Sequence, residues 1–202
     1  RRLWPVLLAG LFEPVLYFPC EQYGLKLTST SFSGVMVALI PLCSLVYGAL
    51  FLHEKATWRQ VVFSVLSVAG VIVLAVYATG IGAGSFLGFL ILLGTVFAGA
   101  GYMVASRACA GSFTAFERTY ITCGIGAAAF GVLSVLEHRH DLRAVVLPMT
   151  HAPFALAIVF LSVVASVLSY LALNRALEVL PVARTAALIN FSTVVSVLAG
   201  VL

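Results

Sequence analysis

Apolar residues fall into seven long blocks, 3–20, 32–52, 61–77, 86–105, 120–136, 153–173 and 186–202, separated by short polar connectors. Each block is near the ~20 residues needed to cross a hydrocarbon core. The pattern predicts an all-α protein, a polytopic transmembrane helical bundle with little soluble mass on either side.

Polar residues and prolines punctuate these helices. Thr30 or Ser31 is placed to cap the second block by accepting a bond from free backbone N–H groups. Thr57-Trp58-Arg59-Gln60 and Thr114-Ala115-Phe116-Glu117 are capping-box patterns that open the third and fifth. Pro41 removes the donor for the carbonyl of Val37 and predicts a kink. Small residues at helical spacing, among them Gly34, Ala38, Ser44 and Gly48, then Gly94, Ala98, Gly101 and Ala105, predict seams of close helix contact. Arg107 is expected to snorkel to the membrane surface.

Composition agrees with the pattern: 62% of residues are hydrophobic and 9% charged, against roughly 25% charged in a soluble domain. The net charge of +4 comes without a basic stripe interleaved with aromatics, so nucleic acid is not an expected partner. If Arg1 and Arg2 are cytoplasmic, that side also holds Lys55, Arg59, Arg107, Arg118, Arg175 and Arg184, leaving Lys26, Arg139 and Arg143 opposite. This positive-inside bias places the Arg1-Arg2 end in the cytoplasm, and the cytoplasmic (inner) membrane is the expected location.

Other chemistries find little support. Cys20, Cys43, Cys109 and Cys123 lack metal-ligand or disulfide-framework spacing and read as packing residues. Gly80, Gly82 and Gly84 lack the preceding strand and the following acidic residue of a dinucleotide loop. His138, His140, Asp141 and His151 form the one cluster that could collect a metal, yet nothing in the spacing fixes their geometry, so a solvated loop is favoured. No catalytic residue, metal or cofactor is therefore expected, and the chain does not read as an enzyme. A seven-helix receptor or photoreceptor is an alternative, but a retinal protein needs a lysine in the last block and none follows Lys55. A membrane-embedded enzyme would need its groups clustered at one interface, where only the weak 138–151 cluster stands.

Two blocks carry the candidate site. The first holds Glu13 near its middle, with Pro14 and Pro19 freeing the carbonyls of Gly10 and Val15. A charge at membrane depth costs about 2.5–3.5 kcal/mol on insertion scales, so Glu13 must have a partner or a cavity. It is the candidate for proton coupling or for pairing with a cationic substrate, against a purely structural carboxylate. The sixth block carries Ser162, Ser166, Tyr170 and Asn174 as one polar stripe, which must face other helices or a cavity. Tyr17 and Gln22 from the first block, Tyr170 and Asn174 from the sixth and Asn190 from the seventh complete the candidate substrate pathway with Glu13.

The chain is also weakly similar to itself at a shift of 152, which sets Phe18 on Tyr170, Gln22 on Asn174, Ser44 on Ser196 and Gly48 on Gly200. Five spans separate the two copies, so the second runs inverted, a common transporter architecture. The run YGLKLTSTSFSGVMVALIPLCSLVYGALFLHEKATWRQVVFSVLSVAGVIVLA resembles the EamA-type repeat of the drug/metabolite transporter superfamily. The matching features are Gly24-Leu25, a Ser/Thr-rich turn, Leu39 to Pro41, Glu54 at the helix end and Gly70 in the next helix. The second copy, ALEVLPVARTAALINFSTVVSVLAGVL, has Thr193 at the proline position and stops before its own Glu.

The resemblance implies two inverted five-helix repeats, with 1–80 the later part of the first and 81–202 most of the second. The seven blocks would then be spans three to nine of a ten-span permease. It also implies a secondary transporter that moves a small metabolite or amino-acid-like solute by alternating access. Expected partners are the lipid bilayer, a small-molecule substrate and a coupling proton; a homodimer is compatible.

Overall fold

The computed structural model describes residues 3–55, 57–79, 85–139 and 143–189, and all regular elements among them are helical. The first apolar block forms α1 (Trp4–Gly10) and α2 (Tyr17–Leu27), joined through a loosened turn over Leu11–Leu16. The second forms α3 (Thr30–Val37) and α4 (Ile40–Phe51). Then come three unbroken helices, α5 (Trp58–Thr79), α6 (Phe86–Ala108) and α7 (Ala115–Glu137). A short α8 (Arg143–Val146) leads into α9 (Ala152–Phe160), a π-type stretch over Leu161–Leu168 and α10 (Ser169–Val179). Residues 182–189 form α11. Phe32–Phe51, Phe86–Ala108, Ala115–Glu137 and Ala152–Val179 are each long and apolar enough to cross a membrane. The protein is a polytopic helical bundle, as the seven apolar blocks predict; most of the seventh lies outside the described residues.

The breaks follow from local chemistry. Glu13 has an extended backbone (φ −142°, ψ 117°) between α1 and α2, the conformation favoured for a residue that precedes proline. Pro19 causes no second break. It lies in the first turn of α2, where a missing N–H breaks no intrahelical bond. Pro41 gives the predicted kink: α3 ends at Val37, the N–H of Leu39 turns back to the Met36 carbonyl at 3.0 Å, and α4 starts at Ile40.

Caps agree with the sequence at two helices and differ at a third. Thr57 and Gln60 exchange bonds of 2.7 and 3.4 Å at the start of α5, and Thr114 and Glu117 exchange bonds of 2.8 and 3.2 Å at the start of α7. The cap of α3 is Ser29, whose side chain accepts from the Phe32 N–H at 3.2 Å, rather than Thr30 or Ser31. The chain leaves extended geometry at Ser29 itself (φ −84°, ψ 152°), so the helix starts one turn position earlier than expected.

α6 lies at the centre, touching α1, α2, α3, α4 and α10. Its small residues make this possible. A methyl group at Gly101 would meet the Phe12 ring at 2.9 Å, and one at Gly99 would meet Tyr17 at 3.3 Å. The broken first helix is held between α6 and α7, with Gly126 of α7 against the Pro14 ring. Ala9, Tyr102, Met103, Tyr170, Leu177, Val182 and Ala186 form the main core where α1, α6, α10 and α11 meet.

One regularity links the two interrupted helices. α10 starts and ends 152 residues after α2, and α11 starts 152 residues after α3. Helix boundaries therefore fall on the same register as the sequence self-similarity.

Candidate functional site

The break at Glu13 turns its carboxylate toward α10, where the Tyr170 hydroxyl donates to it at 2.9 Å. Tyr170 is buried and its ring sits edge-on to Tyr102, with centroids 5.7 Å apart. Tyr102, on α6, donates its own hydroxyl to Oδ1 of Asn174 at 3.0 Å. Asn174 is fully buried one helical turn beyond Tyr170. Its Oδ1 also accepts from Ser106 at 2.6 Å, and its Nδ2 donates to Thr119 at 2.9 Å. A buried polar group must find partners within the protein, and this side chain finds them on α6 and α7 together.

The polar column continues to Arg118, which the sequence reading counted only as a flanking cytoplasmic charge. Arg118 is 1% exposed. Its Nη1 donates to the Ser106 carbonyl and hydroxyl at 3.0 and 2.8 Å, and its Nη2 donates to the Asn174 carbonyl and to Glu178 at 2.7 and 3.1 Å. Glu178 also receives Arg175. The readable signal was on α10: Tyr170, Asn174 and Glu178 recur every four residues, so the stripe extends to a carboxylate that needs a cation.

The remaining candidates divide. Tyr17 donates to Glu21 at 3.2 Å within α2, and Gln22 is exposed on the same helix, so neither joins the Glu13–Asn174 column. Ser162 and Ser166 bond the carbonyls of Val159 and Leu161 at 3.1 and 3.0 Å. These local bonds sit in the π-type stretch, where Ser162 is exposed and Ser166 half-buried, whereas Tyr170 and Asn174 are buried. Asn190 lies outside the described residues, as do His140 and Asp141. Among the described residues no three His, Cys, Asp or Glu side chains are grouped to hold a metal. Pro14 is buried at the break; Pro19 and Pro41 each lie in the first turn of a helix.

Arg107 departs from its expected role. It does not snorkel outward but reaches across the bundle, donating from Nε to Glu54 at 3.2 Å and from Nη1 to the carbonyls of Leu177 and Glu178 at 2.7 and 2.9 Å. Those carbonyls lie in the last turn of α10, where helical donors have run out.

The helical bundle with a broken first span and a buried polar column matches a known family in sequence: the model of the EamA-like transporter family covers residues 1–76 and 86–202. The chain belongs to the EamA-like transporter family. It is also 32% identical over 198 residues to an uncharacterized transporter of Bacillus subtilis (strain 168), YcxC, covering 96% of this chain and 64% of that protein. The EamA-like assignment and the four long apolar helices make this a multi-pass membrane protein, and the chain spans just under two thirds of the curated relative it matches.

Proposed function

We propose that this chain forms the core of a secondary transporter that moves a small metabolite or amino-acid-like solute across the cytoplasmic membrane by alternating access. The moving parts are two inverted halves, 1–80 and 81–202. The two segments matched by the family model and the shared 152-residue register of helix boundaries support that division. Glu13, Tyr170 and Asn174 form its centre, and Tyr17, Gln22 and Asn190 are pathway residues.

The observation that carries the reading is the bond from Tyr170 to Glu13, made between the two halves at a helix break. Transporters commonly place substrate and ion sites at such discontinuous helices near the midplane. A carboxylate there is costly without a partner. Tyr170 supplies a single neutral donor, which a proton or a substrate ammonium can displace. Glu13 is then the group that exchanges partners during the cycle.

The test is transport by the full-length protein in proteoliposomes, with substrates drawn from a metabolite panel. Glu13→Gln is expected to slow transport and to flatten its dependence on pH. An unchanged rate with an unchanged pH profile would sink the coupling role.

A further inference from the structure

The end of the bundle that the charge distribution assigns to the cytoplasm carries a contact between the halves that the Glu13 site does not use. It begins at the end of α4. His53 takes a left-handed backbone (φ 53°), a region where histidine is several-fold enriched among non-glycine residues. The N–H groups of Leu52 and Glu54 both return to the Gly48 carbonyl at 3.1 Å. This reversal presents the Glu54 side chain to α6 and α11.

Both oxygens of Glu54 are then used. Oε1 accepts from Arg107 at 3.2 Å, and Oε2 accepts from the Val182 N–H at 2.9 Å, at the open N-terminus of α11. Gly48 packs beside this contact, and a methyl there would make ordinary contacts, 3.5 Å from Oε2 and 3.6 Å from Val182. Arg107 meanwhile holds the last carbonyls of α10. Glu54 and Arg107 keep 20% and 26% of their side-chain surface exposed. One carboxylate from the first half thus ties down both sides of the Leu180-Pro181 turn, directly at α11 and through Arg107 at α10.

We propose that Glu54, Arg107 and the α10–α11 turn form a latch that holds the cytoplasmic end closed in this conformation and parts when that end opens. The proposal rests on the alternating-access reading. The pair suits a latch better than a permanent brace. Its charges lie near enough to water to be rehydrated on release, unlike Arg118, whose bonds all stay within α6, α7 and α10. Ion pairs held partly out of water fix orientation while closed, and losing one partner leaves the other poorly satisfied.

The test uses the full-length protein with its native cysteines replaced and one reporter cysteine added. Ala183→Cys reports on the latch, since Ala183 is buried beside Glu54 and Pro181. Leu92→Cys reports on the core at the far half of α6, where Leu92 is fully buried. In inside-out vesicles, Glu54→Ala and Arg107→Gln are each expected to raise the rate at which an impermeant maleimide labels position 183. The rise should be on the order of tenfold, as for loss of a coupled contact. Labelling at position 92 should not change, and Arg107→Lys should restore part of the protection. No rise at 183, or an equal rise at 92, would overturn the latch; the second outcome would make the contact a general structural brace. Uptake by the unmodified protein is measured beside it. Failure there overturns the transporter reading without touching the labelling result.

Discussion

Adding one methyl group at Gly126 tests how the first helix is held open at Glu13. A Cβ at this position would lie 2.5 Å from Cγ of Pro14 and 3.6 Å from its Cβ and Cδ, where carbon atoms prefer about 3.5–4.0 Å. The nearest contact must open by roughly 1 Å to reach that range. The neighbour cannot rotate away, because it is a proline ring inside the break rather than the end of a flexible chain. Overpacking of this kind costs about 1–3 kcal/mol, and the helix propensity gained on replacing Gly by Ala returns about 1 kcal/mol. Gly126→Ala should therefore be destabilising, by about 1 kcal/mol net. Gly124 on the same helix meets nothing within 4 Å among the described residues, so Gly124→Ala should be neutral or stabilising by up to about 1 kcal/mol. Unfolding of the full-length protein by SDS titration in mixed micelles measures both. If Gly126→Ala unfolds no earlier than Gly124→Ala, α7 does not confine Pro14, and the account of how Glu13 is positioned fails with it.

Two further substitutions probe the polar column and the helix that carries Arg118. Asn174→Ala removes three interhelical side-chain bonds, to Tyr102, Ser106 and Thr119. At about 0.6 kcal/mol for each such bond in a membrane protein, the same unfolding titration should show a loss of about 2 kcal/mol. Thr114→Ala removes the capping box of α7 and should cost about 1 kcal/mol, read as a lowered thermal midpoint with transport largely retained, since Thr114 lies outside the Glu13 site.

The bundle was legible because periodic apolar blocks determine helices almost by length alone, and Pro14 and Pro41 announce their breaks through fixed backbone chemistry. Glu13 was legible for a related reason: a carboxylate in an apolar block stands out whatever it touches. The partners were harder. Asn174 and Tyr170 could be read as one stripe, but which helix would receive them depends on the rotation of α6 and α7, which small residues permit rather than dictate. Arg118 shows the limit most clearly. Lying four residues after a capping threonine and near a block boundary, it looked like one more surface charge, and only the meeting of α6 and α10 with α7 encloses it. Arg107 misled in the same way. A long side chain near a helix end can reach water or a neighbouring helix terminus, and the choice depends on the nearness of Glu54 and α10 in space.

The two interrupted helices share a backbone plan but not a chemistry, which constrains the proposed cycle. In the 152-residue register, the partner of Glu13 is Ala165 and the partner of Tyr170 is Phe18. Gln22, the counterpart of buried Asn174, is exposed. The sixth block contains no proline where it widens; serine hydroxyls bond the backbone there instead. The Tyr170 to Glu13 bond therefore has no image on the other side of the pseudo-symmetry, since neither Ala165 nor Phe18 can make it. If the halves exchange conformations, the bond formed here is broken without an equivalent replacing it. Glu13 would then be held by Tyr170 in one facing state and available to a proton or substrate in the other. A symmetric pair of carboxylates would be engaged equally in both states and would give no such difference, so in the proposed cycle the asymmetry of side chains would let a single residue carry the coupling.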